Sequence, residues 1–136
     1  MVKIKVEYEG GLHCRLTHLP SGTVLTTDAP TDYGGRSESF SPTDLVASAL
    51  GSCMMTIMGI YAKKHGISLE GSQVDVTKEM LQAPERRIGK LSLDFRMCAG
   101  LSKDRRVALE ASAFSCPVHK SLRSDIEMPI RFHYPD

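Results

Sequence analysis

Four cysteines, at positions 14, 53, 98 and 116, are the side chains of this sequence with the widest chemistry. A thiol ionises near pH ~8.5, and the thiolate is a nucleophile, a metal ligand and a target of reversible oxidation. A buried thiol is also an ordinary small hydrophobe. Cys53 lies in the middle of a long apolar run. The helix macrodipole acts only in the first and last turns, so an ionised Cys53 needs a cation beside it. Arg36, in the preceding loop, is the candidate, because a guanidinium stays charged and hydrogen-bonds both a thiolate and an oxygen acceptor. Cys116 stands before Pro117, at an expected helix N-cap where the dipole and free N–H groups favour a thiolate. On local electrostatics alone Cys116 is the better nucleophile. Cys14 and Cys98 fall in strand patterns and read as packing residues.

Other motifs are weaker. Cys116 and His119 form half of a zinc site, with no second half at ligand spacing. Gly34-Gly35-Arg36-Ser37 lacks the lysine of a phosphate-binding loop, and Gly51-Ser52-Cys53 is not a nucleophile elbow. Met54, Met55 and Met58 read as core.

The elements that must position these residues follow from periodicity and punctuation. Residues 2–8 alternate, with Val2, Ile4, Val6 and Tyr8 on one side, which predicts a half-buried strand. Gly10-Gly11 ends it. A second strand over 12–19 has Leu12, Cys14 and Leu16 on one face. A turn at Pro20-Ser21-Gly22 leads to a third strand over 23–27. Residues 28–41 are a Gly-, Ser- and Asp-rich loop, expected to be exposed and mobile. Ser41 is the N-cap and Pro42 the first residue of a helix to Lys64, with Asp44 in its first turn and Gly66 as its stop. That helix is apolar nearly all round, which predicts burial against a second subunit. Strands follow over 72–81 and 88–98. A helix over 103–114 is capped by Ser102, with Val107, Ala111 and Phe114 as its apolar positions. A short helix starts at Pro117, and a strand spans 126–134. The order βββ–α–ββ–α–α–β groups strands and helices, and predicts an α+β fold rather than a doubly wound α/β fold.

The chain has 136 residues, the length of one domain, so 1–136 is expected to form a single domain. A formal net charge of +1 gives no field to attract nucleic acid or anionic membrane. The N-terminus lacks the apolar core of a signal peptide, and the run from Leu45 to Tyr61 falls short of the ~20 apolar residues of a bilayer span. The expected compartment is therefore the reducing cytoplasm.

Two segments resemble a known family. FSPTDLVASALGSCMMTI, residues 40–57, is similar to the first cysteine motif of the OsmC/Ohr superfamily. CPVHKSL, residues 116–122, is similar to its second, where Cys-Pro opens a short helix. The order of elements agrees along essentially the whole chain. The resemblance implies the OsmC-like fold, βββ-α-ββ-α-β with a long buried central helix, in an intertwined homodimer. It also implies cysteine peroxidase chemistry on a small organic hydroperoxide, with no cofactor or metal. On that basis Cys53 is the peroxidatic cysteine, Cys116 resolves it to a disulfide, and a dithiol of the lipoyl type is the reductant. The family pairs an arginine with a glutamate to activate the thiolate. The arginine position of one branch is Leu12 here, and that of the other is Arg36. The glutamate position is Thr43, with Asp44 beside it, which is similar to the OsmC-like branch. Asp44, or Glu38, would then serve as partner of Arg36. The missing glutamate favours a rival on the same fold, an apolar-ligand-binding protein; a third reading is a redox sensor without efficient turnover.

Overall fold

The computed structural model describes residues 1–135. It contains two compact units, Met1–Val46 and Ala47–Asp136.

The first unit is an antiparallel meander of β1 (Ile4–Tyr8), β2 (His13–His18) and β3 (Val24–Asp28), in the order β1-β2-β3. Pairing of Val6 with Leu16, and of Leu16 with Leu25, gathers an apolar row on one face. The alternation over 2–8 predicts a half-buried strand. Both faces of β1 are exposed instead, with Val6 at 60%. Period-two alternation reports which face could be buried, not what covers it. Leu12 is not in β2. It sits at φ 60° in the turn opened by Gly10 and Gly11.

The loop over 28–41 contains a single 3₁₀ turn, Thr31–Tyr33. It is tied down rather than loose. The Asp28 N–H donates to the Phe40 carbonyl at 3.0 Å, closing the base of the loop. The Ala29 N–H donates to the Leu12 carbonyl at 3.1 Å, and the Gly35 N–H to that of Pro30 at 3.0 Å. A Cβ on Gly35 would lie 1.8 Å from the Ala29 carbonyl oxygen, so only glycine lets the loop fold back here.

Helix α1 (Pro42–Lys64) starts in the first unit and runs into the second. Its buried residues, Ala47, Leu50, Gly51, Met54, Met58 and Ala62, form one stripe. The rest of its apolar surface is half-open in the single chain, and Ile60 is exposed. By length and composition alone this 23-residue helix is long and apolar enough to cross a membrane, which corrects the shorter apolar span expected from the sequence. Its stripe instead packs in the core of the second unit.

That core is built on β4 (Gln73–Leu81), β5 (Arg87–Arg96) and β6 (Ile130–His133), with β5 central, antiparallel to β4 and parallel to β6. Leu91, Leu93, Phe95 and Met97 alternate into the core from β5 and its extension, as the sequence predicts. Phe95 stacks on Phe132, with ring centres 4.7 Å apart. Each such buried side chain stabilises the unit by about 1.5–3 kcal/mol. β6 is shorter than the strand expected over 126–134, but Ile126, Met128, Ile130, Phe132 and Tyr134 do share the core-facing side.

Helices α2 (Lys103–Ala113) and α3 (Pro117–Ser121) complete the connection between β5 and β6. Ser102 caps α2 as expected, its hydroxyl accepting the Arg105 N–H. The face of α2 differs from the expected one. Leu109 and Ala113 are buried, whereas Val107 is 70% exposed and Ala111 and Phe114 are also open. Leu109 and Ala113 are one turn apart and continue toward buried Cys116, so they set the phase of the helix. The observed α+β class and element order match those read from the sequence.

Candidate functional site

Cys53 is carried by the core-packed part of α1. It is half-buried and adjoins the buried cluster that contains Met54 and Cys116. Close approach of the helix to the sheet is set by Gly51, where a Cβ would lie 2.7 Å from Val76 Cγ2 and 3.4 Å from Val74 Cγ1.

Cys116 is the N-cap of α3, with φ −61° and ψ 123°. Pro117 then occupies the first helical position, where its missing N–H costs nothing. The Cys116 sulfur accepts the His119 backbone N–H at 3.3 Å. The residue has no solvent exposure (0%). Both thiols are free, and Cys53 packs against the buried cluster that contains Cys116, close enough for its thiol to act on that of Cys116. Burial, followed by the Cys53 thiol, pushes the Cys116 thiol above its ordinary range. The N–H groups of His119 and Val118 pull the other way and are outweighed. The N-cap expected from the sequence is present, but the readily ionised thiol expected with it is not. Local dipole arguments omit desolvation, and desolvation dominates here.

The other two cysteines have packing surroundings. Cys14 lies in β2 opposite Tyr8 and Thr27. Cys98 follows β5, its thiol donating to the Ser68 carbonyl at 3.4 Å and its N–H to Ser72 Oγ at 3.0 Å.

Arg36, Asp44 and Glu38 belong to the first unit. Asp44 and Ser41 form a reciprocal cap at the start of α1. The Ser41 N–H donates to Asp44 Oδ2 at 2.9 Å, and the Asp44 N–H donates to Ser41 Oγ at 3.1 Å. Arg36 lines an open concavity of about 480 Å³ with Glu9, Gly10, Gly11, His13, Asp28 and Glu38. Glu38 therefore shares a surface with Arg36, while the Asp44 carboxylate is engaged at the helix start. Leu12 lies against the same loop, its Cδ1 3.7 Å from where a Cβ on Gly34 would stand.

One pair in this concavity was missed from the sequence. His13 Nδ1 is 2.6 Å from Oδ1 of Asp28, whose side chain is only 3% exposed, and His13 Nε2 is 3.5 Å from Glu9 Oε1. The signal was available: folding β2 onto β3 about the Pro20-Ser21 turn puts His13 opposite Asp28.

Known proteins agree with this architecture. The profile of the OsmC-like protein family matches residues 34–131. A Psychrobacter arcticus protein, described as an osmotic stress induced and detoxification response protein, has 38% identity and a TM-score of 0.93, covering 98% of this chain and 96% of that one. An organic hydroperoxide resistance protein OsmC of Legionella pneumophila has 21% identity and a TM-score of 0.77, covering 97% and 96%. The organic hydroperoxide resistance protein OhrB of Bacillus subtilis has 17% identity and a TM-score of 0.71, covering 98% of each chain. A search of curated proteins found no match. With both cysteine motifs in place and the family profile matched from Gly34 to Arg131, the chain belongs to the OsmC-like family.

Proposed function

We propose that this protein is a thiol-dependent peroxidase that reduces organic hydroperoxides through a cycle of sulfenic acid and disulfide at Cys53 and Cys116. The observation that carries this function is the placement of both cysteines in one compact unit, Cys53 packed against the buried cluster that holds Cys116, with the Cys116 thiol buried and pushed above its ordinary range. Membership of the OsmC-like family supports a redox role.

In the proposed cycle the Cys53 thiolate attacks the O–O bond of the peroxide. The sulfur gains one oxygen as sulfenic acid, and the alkoxide leaves and takes a proton to become the alcohol. Cys116, waiting as a thiol, condenses with the sulfenic acid, releasing water and forming the disulfide. A cellular dithiol of the lipoyl type restores both thiols by exchange. Arg36 supplies the positive charge a mid-helix thiolate needs. Glu38, on the same concavity, is the carboxylate companion of Arg36. Asp44 contributes by fixing the start of the helix that bears Cys53.

We further propose that the protein is a cytoplasmic homodimer of single-domain subunits. The uncovered apolar row of the first sheet, with Ile4, Val6, Tyr8 and Leu25 exposed, and the half-open flank of α1 support a partner subunit. The same open apolar flank favours a second function, binding of an apolar ligand with the thiols incidental or sensory.

Mass spectrometry with tryptic mapping separates these. After one equivalent of cumene hydroperoxide, the reduced protein is expected to carry a Cys53–Cys116 disulfide rapidly, and to turn over with dihydrolipoamide. Two unreacted thiols would discard the peroxidase and leave the ligand-binding function. Rapid disulfide formation without turnover would leave the sensor.

A further inference from the structure

Arg36 sits in a loop whose fold depends on a chain of contacts that starts at His13. His13 Nδ1 meets Asp28 Oδ1 at 2.6 Å. Asp28 is the last residue of β3, and its N–H closes the loop base on Phe40. The next residue, Ala29, is tied to Leu12, the neighbour of His13, by its N–H. The Ala29 carbonyl is the surface against which Gly35 is pressed, and it also accepts the Ser37 N–H at 3.4 Å. The Ser37 hydroxyl in turn accepts the Thr31 N–H at 2.9 Å. Gly35 and Ser37 flank Arg36, so its backbone lies between one residue packed against Ala29 and another bonded to it.

A carboxylate at 3% exposure is costly unless it is paired, and His13 is its close side-chain partner. The opposite edge of the His13 ring faces Glu9, on the rim of the concavity that Arg36 lines. We infer that the His13–Asp28 pair is a positioning element for Arg36, setting the loop geometry from which the guanidinium acts. This inference rests on the peroxidase cycle proposed for the two cysteines. It makes His13 and Asp28 positioning residues rather than catalytic ones.

A double-mutant cycle on the full-length protein tests it. The readout is the rate of Cys53 oxidation by cumene hydroperoxide, followed by trapping of the sulfenic acid and mass spectrometry. Asp28→Asn and Arg36→Ala are each expected to slow oxidation by about tenfold or more, because a small misplacement of a charged group has effects of that size. The double variant should be no slower than Arg36→Ala alone, since there is then no guanidinium left to position. His13→Ala should resemble Asp28→Asn. His13→Asn should recover most of the rate, because its amide nitrogen can take the place of Nδ1 and donate to Asp28. The His13 variants also serve if Asp28→Asn fails to fold.

Wild-type rates in both Asp28→Asn and His13→Ala would overturn the inference. So would effects that multiply in the double variant, which would mark general damage instead. Failure of His13→Asn to recover the rate would overturn the hydrogen bond as the means of positioning. An Arg36→Ala variant that oxidises at the wild-type rate would overturn the assignment of Arg36 itself, an outcome distinct from failure of the positioning pair.

Discussion

Cys116 receives a backbone N–H from His119 on its sulfur and has the thiol of Cys53 as a neighbour. The first contact favours losing its proton and the second favours keeping it. Complete burial decides the balance, so the cysteine whose sequence position looks most reactive is held as the neutral partner. That division suits a resolving thiol, which must survive until its neighbour is oxidised.

The two cysteines should fail differently. Cys53→Ser is expected to abolish peroxide turnover. Cys116→Ser should still consume one equivalent of peroxide but stop at a sulfenic acid on Cys53, trapped by a dimedone-type reagent and weighed by mass spectrometry. Equal loss of the first oxidation in both variants would remove the assigned order of attack.

Alkaline pH should weaken the fold through Cys116. Its folded value is raised, so the folded protein holds this proton more tightly than the unfolded chain does. The resulting stability is complete below the ordinary thiol value of 9.0 and is lost as pH rises through the higher folded value. Urea unfolding at successive alkaline pH values should show a fall that is shallower in Cys116→Ala. Parallel slopes would contradict the assigned shift. Tyr134, also pushed up by burial and by its 2.6 Å bond to Glu110, contributes equally to both proteins and cancels in the comparison.

Gly51→Ala should be destabilising although alanine is the better helix former. Its Cβ would meet Val76 Cγ2 at 2.7 Å, and the strand residue must give way. The expected cost is about 1–3 kcal/mol, typical of overpacking in a core. A variant as stable as wild type by thermal unfolding would show that β4 yields freely at this point.

Ser41→Ala and Asp44→Ala should each cost about 1 kcal/mol, because each removes a partner from the reciprocal cap of α1. Combined, they should cost less than the sum, since the two bonds belong to one motif. Strict additivity in denaturant unfolding would show that the serine and the aspartate act separately.

The signals that proved readable in the sequence are local ones. Ser41-Pro42 marks the observed start of α1, and Lys63-Lys64 with Gly66 marks its end, because capping chemistry is decided within one helical turn. The alternation from Leu91 to Met97 predicts the buried face of β5 for the same reason. Failures arise where distant segments decide. In α2 two apolar stripes compete, and contact with the rest of the core selects Leu109 and Ala113 over Val107 and Phe114. For the first sheet, alternation cannot reveal that Val6 and Tyr8 lack a cover within the chain. In the candidate site, Cys116 at an N-cap was legible from Cys-Pro. Its burial beside Cys53 was not, because it depends on how the connection from β5 to β6 folds. The His13–Asp28 pair lay within reach of a register argument about the Pro20-Ser21 turn.

β6 lies parallel to β5, and a parallel neighbour can be reached only by a long crossing segment, which here contains α2 and α3. Cys116 sits inside that segment. The placement of Cys116 therefore depends on the same crossing segment that lets β6 lie beside β5.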